Sequence, residues 1–190
     1  MTYEEYHSTE QRRETNRLIL RRLTMADDET IYAYCKDPEV TRYVVFPTHE
    51  TIDDSREFLR KAFGFYERNE PSVSGIVLKE SNVLIGTIGV HNWSRDHKRT
   101  EVGYALSREQ WNHGYVTEAL QGRIAHLFAH TDLVRIEALC KEQNVGSARV
   151  MEKAGMSFEG ILRQFTFSKG EFHDMNIYSI LREEFVFRNP

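Results

Sequence analysis

A switch of hydrophobic period in the middle of the chain limits its folds more than any other feature of the sequence. From Pro71 the apolar residues recur at every second position, and Val73 to Lys79 and Val83 to Val90 are rich in Val and Ile, the pattern of half-buried strands. Glu80-Ser81-Asn82 between them is a natural hairpin turn, and a third strand, Thr100 to Leu106, follows the polar turn Ser94 to Arg99. The period then returns to about four. Val116, Leu120, Ile124 and Leu127, with Ala119 and Phe128, form the apolar stripe of a helix that begins after Gly114.

The flanks complete the order. Arg17 to Leu23 reads as a strand, and Asp27 to Cys35 as a short helix stopped by Asp37-Pro38. A second helix covers Ile52 to Arg68, opened by Thr51 or Asp53. Leu133 to Cys140 is a strand, and Asn144 to Ala154 a helix closed by Gly155. Met156 to Phe167 and Glu171 to Leu181 form a last antiparallel pair turning at Ser168-Lys169-Gly170. The expectation is an α/β (α+β) domain over 16–188, with one mixed, mostly antiparallel sheet of about seven strands and about four helices, preceded by a polar arm over 1–15.

Composition narrows the function classes. A chain of 190 residues is about one domain, and 40% hydrophobic with 28% charged residues suits a globule that buries a core. The formal net charge of −4 argues against a protein held on nucleic acid by bulk phosphate neutralisation. No apolar run approaches a membrane span or a signal peptide, and Cys35 and Cys140 stand far apart, so a reducing compartment, the cytoplasm, is expected. His126 and His130 share a helix face at metal-binding spacing, yet no acidic or Cys partner flanks them, and no metal is expected.

The most informative run is Glu101-Val102-Gly103-Tyr104-Ala105-Leu106, then Trp111-Asn112-His113-Gly114-Tyr115-Val116-Thr117. A strand leading into a loop whose glycine opens a helix presents uncapped N–H groups and the positive helix end to an anion such as a phosphate. Together with Asn144-Val145-Gly146-Ser147, Ala154-Gly155-Met156, Phe158-Glu159-Gly160 and Gly170-Glu171-Phe172-His173-Asp174, this run resembles the GNAT N-acetyltransferase superfamily. Within it the chain is most similar to the RimJ/RimL-type ribosomal-protein N-terminal acetyltransferases, from Asn16 to Glu184.

The resemblance implies an acetyl-CoA site at a central splay between two strands. The family's phosphate loop, R/Q-x-x-G-x-G/A, falls on Trp111 to Val116, with Trp111 at the Arg/Gln position, Asn112 in the second and Val116 at the final Gly/Ala. Cofactor contacts are thereby implied for Tyr104, Ala105, Leu106, Trp111, Asn112, His113, Gly114, Tyr115, Val116, Thr117, Asn144 and Ser147. Glu101 falls where the family often carries its general base, which the chemistry needs because an α-amine of pKa about 7.7 to 8 is partly protonated at neutral pH. Ser147 falls where the family places the acid that protonates the departing thiolate, with Tyr178 or a water as alternatives. Glu159, His173 and Asp174 match substrate-end residues.

Local reasons exist for several of these residues: Asn144 is a natural N-cap, Ser147 can satisfy a helix-start group, and Cys140 behaves as a small hydrophobe. Three functions stay open on sequence. The resemblance favours transfer to a protein N-terminal α-amine. A small amine such as a polyamine, amino acid or aminoglycoside is the second acceptor class, and a non-catalytic CoA-binding module is the third reading. A homodimer is compatible with all three, since Phe165, Phe167 and Phe172 near the last hairpin suit either an interface or an acceptor pocket.

Overall fold

A computed structural model of the chain describes residues 12–188. In chain order the strands are β1 (Arg12–Glu14), β2 (Leu18–Arg22), β3 (Val73–Leu78), β4 (Leu84–Ser94), β5 (Arg99–Leu106), β6 (Arg135–Lys141), β7 (Ser157–Ser168) and β8 (Glu171–Leu181). The helices are α1 (Asp28–Cys35), α2 (Pro38–Thr41), α3 (Ile52–Glu67), α4 (Tyr115–His130), α5 (Val145–Lys153) and α6 (Arg182–Arg188). All eight strands form one sheet in the order β1-β2-β3-β4-β5-β6-β8-β7, and every neighbouring pair is antiparallel except β5 with β6.

The mixed, mostly antiparallel sheet matches the period-based expectation, with one more strand and two more helices. Most of the expected arm lies outside the described residues, but Arg12–Glu14 pairs with Arg21, Leu20 and Ile19 as an edge strand. Helix α2 is a single turn that starts where Asp37-Pro38 was expected only to stop a helix. Proline is suited to a first helical position, and the Asp37 side chain accepts from the Glu39 N–H at 2.9 Å. The last hairpin turns on Lys169 and Gly170, both with positive φ (55° and 86°), the geometry of a two-residue type I′ turn.

Strand alternation splits the core into two layers. Leu18, Leu20, Ile76, Ile88, Val90 and Val102 meet Leu120, Ile124 and Leu127 of α4 and Met151 of α5 on one face. Ile19, Val77, Leu84 and Ala105 meet Ile31, Tyr34 and Leu59 of α1 and α3 on the other.

One interruption in this sheet positions everything that follows. β5 and β6 pair over three residues only, Arg99 with Arg135, Thr100 with Ile136 and Glu101 with Glu137. Beyond that point β5 keeps pairing with β4 as far as Leu106, and β6 keeps pairing with β8 as far as Lys141, but the two no longer pair with each other. The central splay implied by the sequence resemblance is this opening, and Glu101 stands at its closed end.

Candidate active site

The opening leads into a cleft of about 680 Å³. Residues directly opposite in an antiparallel pair share a face, so the register pairs Thr87↔Ala105, Gly89↔Gly103 and His91↔Glu101 put all six on the side of the sheet that carries α1 to α3. All six line the cleft. Tyr104 lies on the opposite face, toward α5.

Two features hold Glu101 ready. Between the pairs His91↔Glu101 and Ser94↔Arg99, β4 has one residue more than β5, a β-bulge. Asn92 in that bulge has φ 49° and donates its Nδ2 hydrogen to Glu101 Oε2 at 2.8 Å. Burial pushes the Glu101 carboxyl above its ordinary value, with Glu137 adding to the rise, while the Asn92 bond and Arg99 oppose it. A carboxylate poised in this way is a better proton acceptor than an exposed glutamate.

His91 is a cleft residue that sequence reasoning missed. Its ring lies over Gly89 and Gly103: a Cβ on Gly89 would come within 2.8 Å of His91 Nε2, and one on Gly103 within 3.5 Å. His91 is open to solvent at the cleft surface, where partial desolvation lowers its pKa, and its ring nitrogens make no hydrogen bond among the described residues. The signal available in the sequence was Gly89 two residues before His91, a period-two position with space above it.

On the other face the Tyr104 hydroxyl lies 2.9 Å from Ser147 Oγ and also donates to the Ser147 carbonyl at 3.2 Å. Asn144 caps α5, its Oδ1 accepting from the Ser147 N–H at 3.1 Å. The capping reading of Asn144 therefore holds, while the Ser147 hydroxyl is turned to Tyr104 and the cleft. Burial pushes the Cys140 thiol up to about 11, so it is not a thiolate at neutral pH. Tyr178 is buried against Phe158, with its hydroxyl toward Glu152, and does not line the cleft; the hydroxyl that meets Ser147 is that of Tyr104.

The loop after β5 takes the shape that its glycine demands. Trp111 donates its indole N–H to the Leu106 carbonyl at 3.0 Å, fixing the loop to the strand end. Gly114, at φ 76°, turns the chain into α4. The first intrahelical bond runs from Glu118 N–H to the Gly114 carbonyl, which leaves the Tyr115, Val116 and Thr117 amides without helical acceptors. Arg17 braces this corner, reaching Glu118 at 2.7 Å and the His113 carbonyl at 3.0 Å with its guanidinium over the Tyr115 ring.

The structure thus brings Glu101, Tyr104, Ala105, Asn144 and Ser147 to one cleft and sets Trp111 to Thr117 beyond the end of β5. It does not bring Glu159, His173 or Asp174 there. Glu159 is bound bidentately by Arg135 and receives the Ser179 hydroxyl at 2.6 Å, and Arg135 holds its carboxyl down to about 2. His173 Nε2 lies 2.9 Å from Lys141 Nζ, and Asp174 accepts from the Gln164 N–H. These are bonds that hold β7 and β8 in place. The described residues also contain no cluster of His, Cys, Asp or Glu able to hold a metal ion.

A parted strand pair with free amides beyond it, a half-buried carboxylate on one face and a hydroxyl pair on the other form an arrangement able to take a long phosphate-bearing thioester and act on it as a transferase. The GNAT acetyltransferase domain family matches residues 17–157, and the chain belongs to that family. It is 35% identical to the uncharacterized N-acetyltransferase YoaA of Bacillus subtilis (strain 168), over 89% of this chain and 96% of that protein. It is 31% identical to the ribosomal-protein-serine acetyltransferase of Escherichia coli (strain K12), over 68% of this chain and 72% of that protein. A GNAT-family acetyltransferase from Bacillus anthracis superimposes with a TM-score of 0.81 at 31% identity, over 90% of this chain and 99% of that one. The protein is an acetyl-CoA-dependent N-acetyltransferase.

Proposed function

We propose that the acceptor is the N-terminal α-amine of a protein, of the ribosomal-protein type, and that transfer is direct within one ternary complex. The observation that carries the mechanism is the placement of Glu101 and of the Tyr104–Ser147 pair on opposite faces of the sheet, at one opening. Acetyl-CoA, once bound, supplies an activated thioester.

Glu101, on the side of α1 to α3, accepts the amine proton at its carboxylate, directly or through water. The strand edge from Tyr104 to Leu106, unpaired on the side of the opening, offers backbone N–H groups to the acyl oxygen. Ser147 Oγ, hydrogen-bonded to Tyr104, holds the proton for the departing sulfur. The amides of Tyr115, Val116 and Thr117 with the positive end of α4 receive the pyrophosphate, and Asn144 borders the pantetheine path. The likeness to the E. coli ribosomal-protein-serine acetyltransferase supports a protein, in place of a small amine, as the acceptor class; the first residues of that acceptor are set by the cleft wall. A cytoplasmic enzyme follows from that acceptor, and no helix among the described residues is long and apolar enough to cross a membrane.

A free-thiol release assay with acetyl-CoA tests the acceptor. Turnover with N-terminal peptides that falls on Glu101→Gln is the expected result. Turnover restricted to small amines would overturn the acceptor, and CoA binding without turnover on any amine would overturn transfer itself.

A further inference from the structure

The acceptor half of the cleft is walled by apolar side chains. Val44, Val45 and Phe46 come from the segment after α2, and Phe58 and Phe65 from α3. Val45 is 58% exposed and Phe65 40% exposed, although both border a concave surface next to Glu101 and His91. Exposed apolar side chains gathered in a cleft mark a binding surface, unlike the same residues scattered singly.

The charges around them are few and already partnered. Among the described residues lining the cleft, the ionisable side chains apart from Tyr and Cys are Lys61, Glu70, His91 and Glu101. Lys61 lies 3.6 Å from Glu57, and Glu70 receives the Arg68 guanidinium at 2.9 Å. Glu101 is then the single carboxylate left to meet an acceptor, and its task is one proton. A polyamine or an aminoglycoside would bring several ammonium groups against a wall whose only carboxylate besides Glu101 is Glu70, already held by Arg68, which is costly.

We infer that the amine this enzyme acetylates begins a polypeptide whose first two residues carry apolar side chains, which pack on the wall formed by Val44, Val45, Phe46, Phe58 and Phe65. This deepens the function proposed above and rests on it. The α-amine reaches Glu101 and His91, while the side chains behind it leave water against α3 and the segment after α2. Burying one apolar side chain contributes roughly tenfold or more in affinity.

The test is kcat/KM in the thiol-release assay for peptides beginning Leu-Phe and Ser-Asp, beside phenethylamine and spermidine. The Leu-Phe peptide is expected to exceed the Ser-Asp peptide by at least tenfold, with spermidine at background. Equal or better turnover of the Ser-Asp peptide or of spermidine overturns the inference while leaving acetyl transfer intact. Turnover of phenethylamine with neither peptide used overturns the protein acceptor. Loss of transfer to every amine overturns the proposed chemistry instead. Val45→Ser and Phe65→Ser, both at exposed positions, are expected to raise KM for the Leu-Phe peptide several-fold with KM for acetyl-CoA unchanged. An unchanged peptide KM in both variants overturns the wall.

Discussion

Glu101 is one of 29 acidic residues in the chain, and its surroundings set it apart: the closed end of the opening, the Asn92 bond and burial. As the proposed base it works ionised, so activity falls as pH drops through its pKa. Because burial raises that pKa, the acid limb of kcat/KM is expected above the ordinary carboxylate value of about 4.3. Glu101→Gln is expected to remove that limb and to lower kcat by roughly 10² to 10⁴, with the Kd for CoA unchanged in calorimetry. Ser147→Ala and Tyr104→Phe break the same hydrogen bond, so their losses in kcat are expected to overlap. A double variant whose loss equals the product of the single losses would show that the two hydroxyls act independently. Asn144 and Ser147 were legible because a cap and its spacing are local. The Tyr104 hydroxyl was not, because it meets Ser147 from 43 positions away across the open strand edges.

Elements with a strong period could be read from the sequence, and those made by tertiary pairing could not. β3, β4, α3 and α4 carry their own apolar faces, whereas β1 is three polar residues that become a strand only against β2. α2 is one turn, too short to show a period, and α6 follows β8 without a break. The bulge in β4 was also illegible, since a single extra residue leaves the alternation on either side unchanged. At the start of α4 the demand on sequence is strict. Gly114→Ala forces a left-handed residue at a cost of about 1 to 2 kcal/mol. It is expected to lower Tm by a few degrees in thermal unfolding and to raise KM for acetyl-CoA several-fold, because the amides of Tyr115 to Thr117 shift with the turn.

Across the molecule, a chain of charges spans the place where β5 and β6 still pair. Arg99 binds Glu137, which binds Arg135, which binds Glu159, which receives Ser179, linking β5, β6, β7 and β8. The resemblance assigned Glu159 to substrate because sequence spacing cannot distinguish a strand-tying carboxylate from one facing a cleft. Its pKa is depressed to about 2, so the stability it contributes is whole above about 4.3 and is lost as pH falls from there through about 2. Glu159 is partly exposed, so the contribution is about 1 kcal/mol or less. Urea unfolding over a pH series should show that loss in the wild type and not in Glu159→Gln.

The split sheet also divides the chain's labour by order along the sequence. On the proposed assignment the apolar wall of the acceptor side, within Tyr43 to Val73, precedes β4, and the segments that serve the donor, within Tyr104 to Ser147, follow it. Changes accumulating in the first half can therefore redirect what is acetylated without disturbing the handling of the activated group. A lineage built on this plan can diversify its clients while keeping a single currency of transfer.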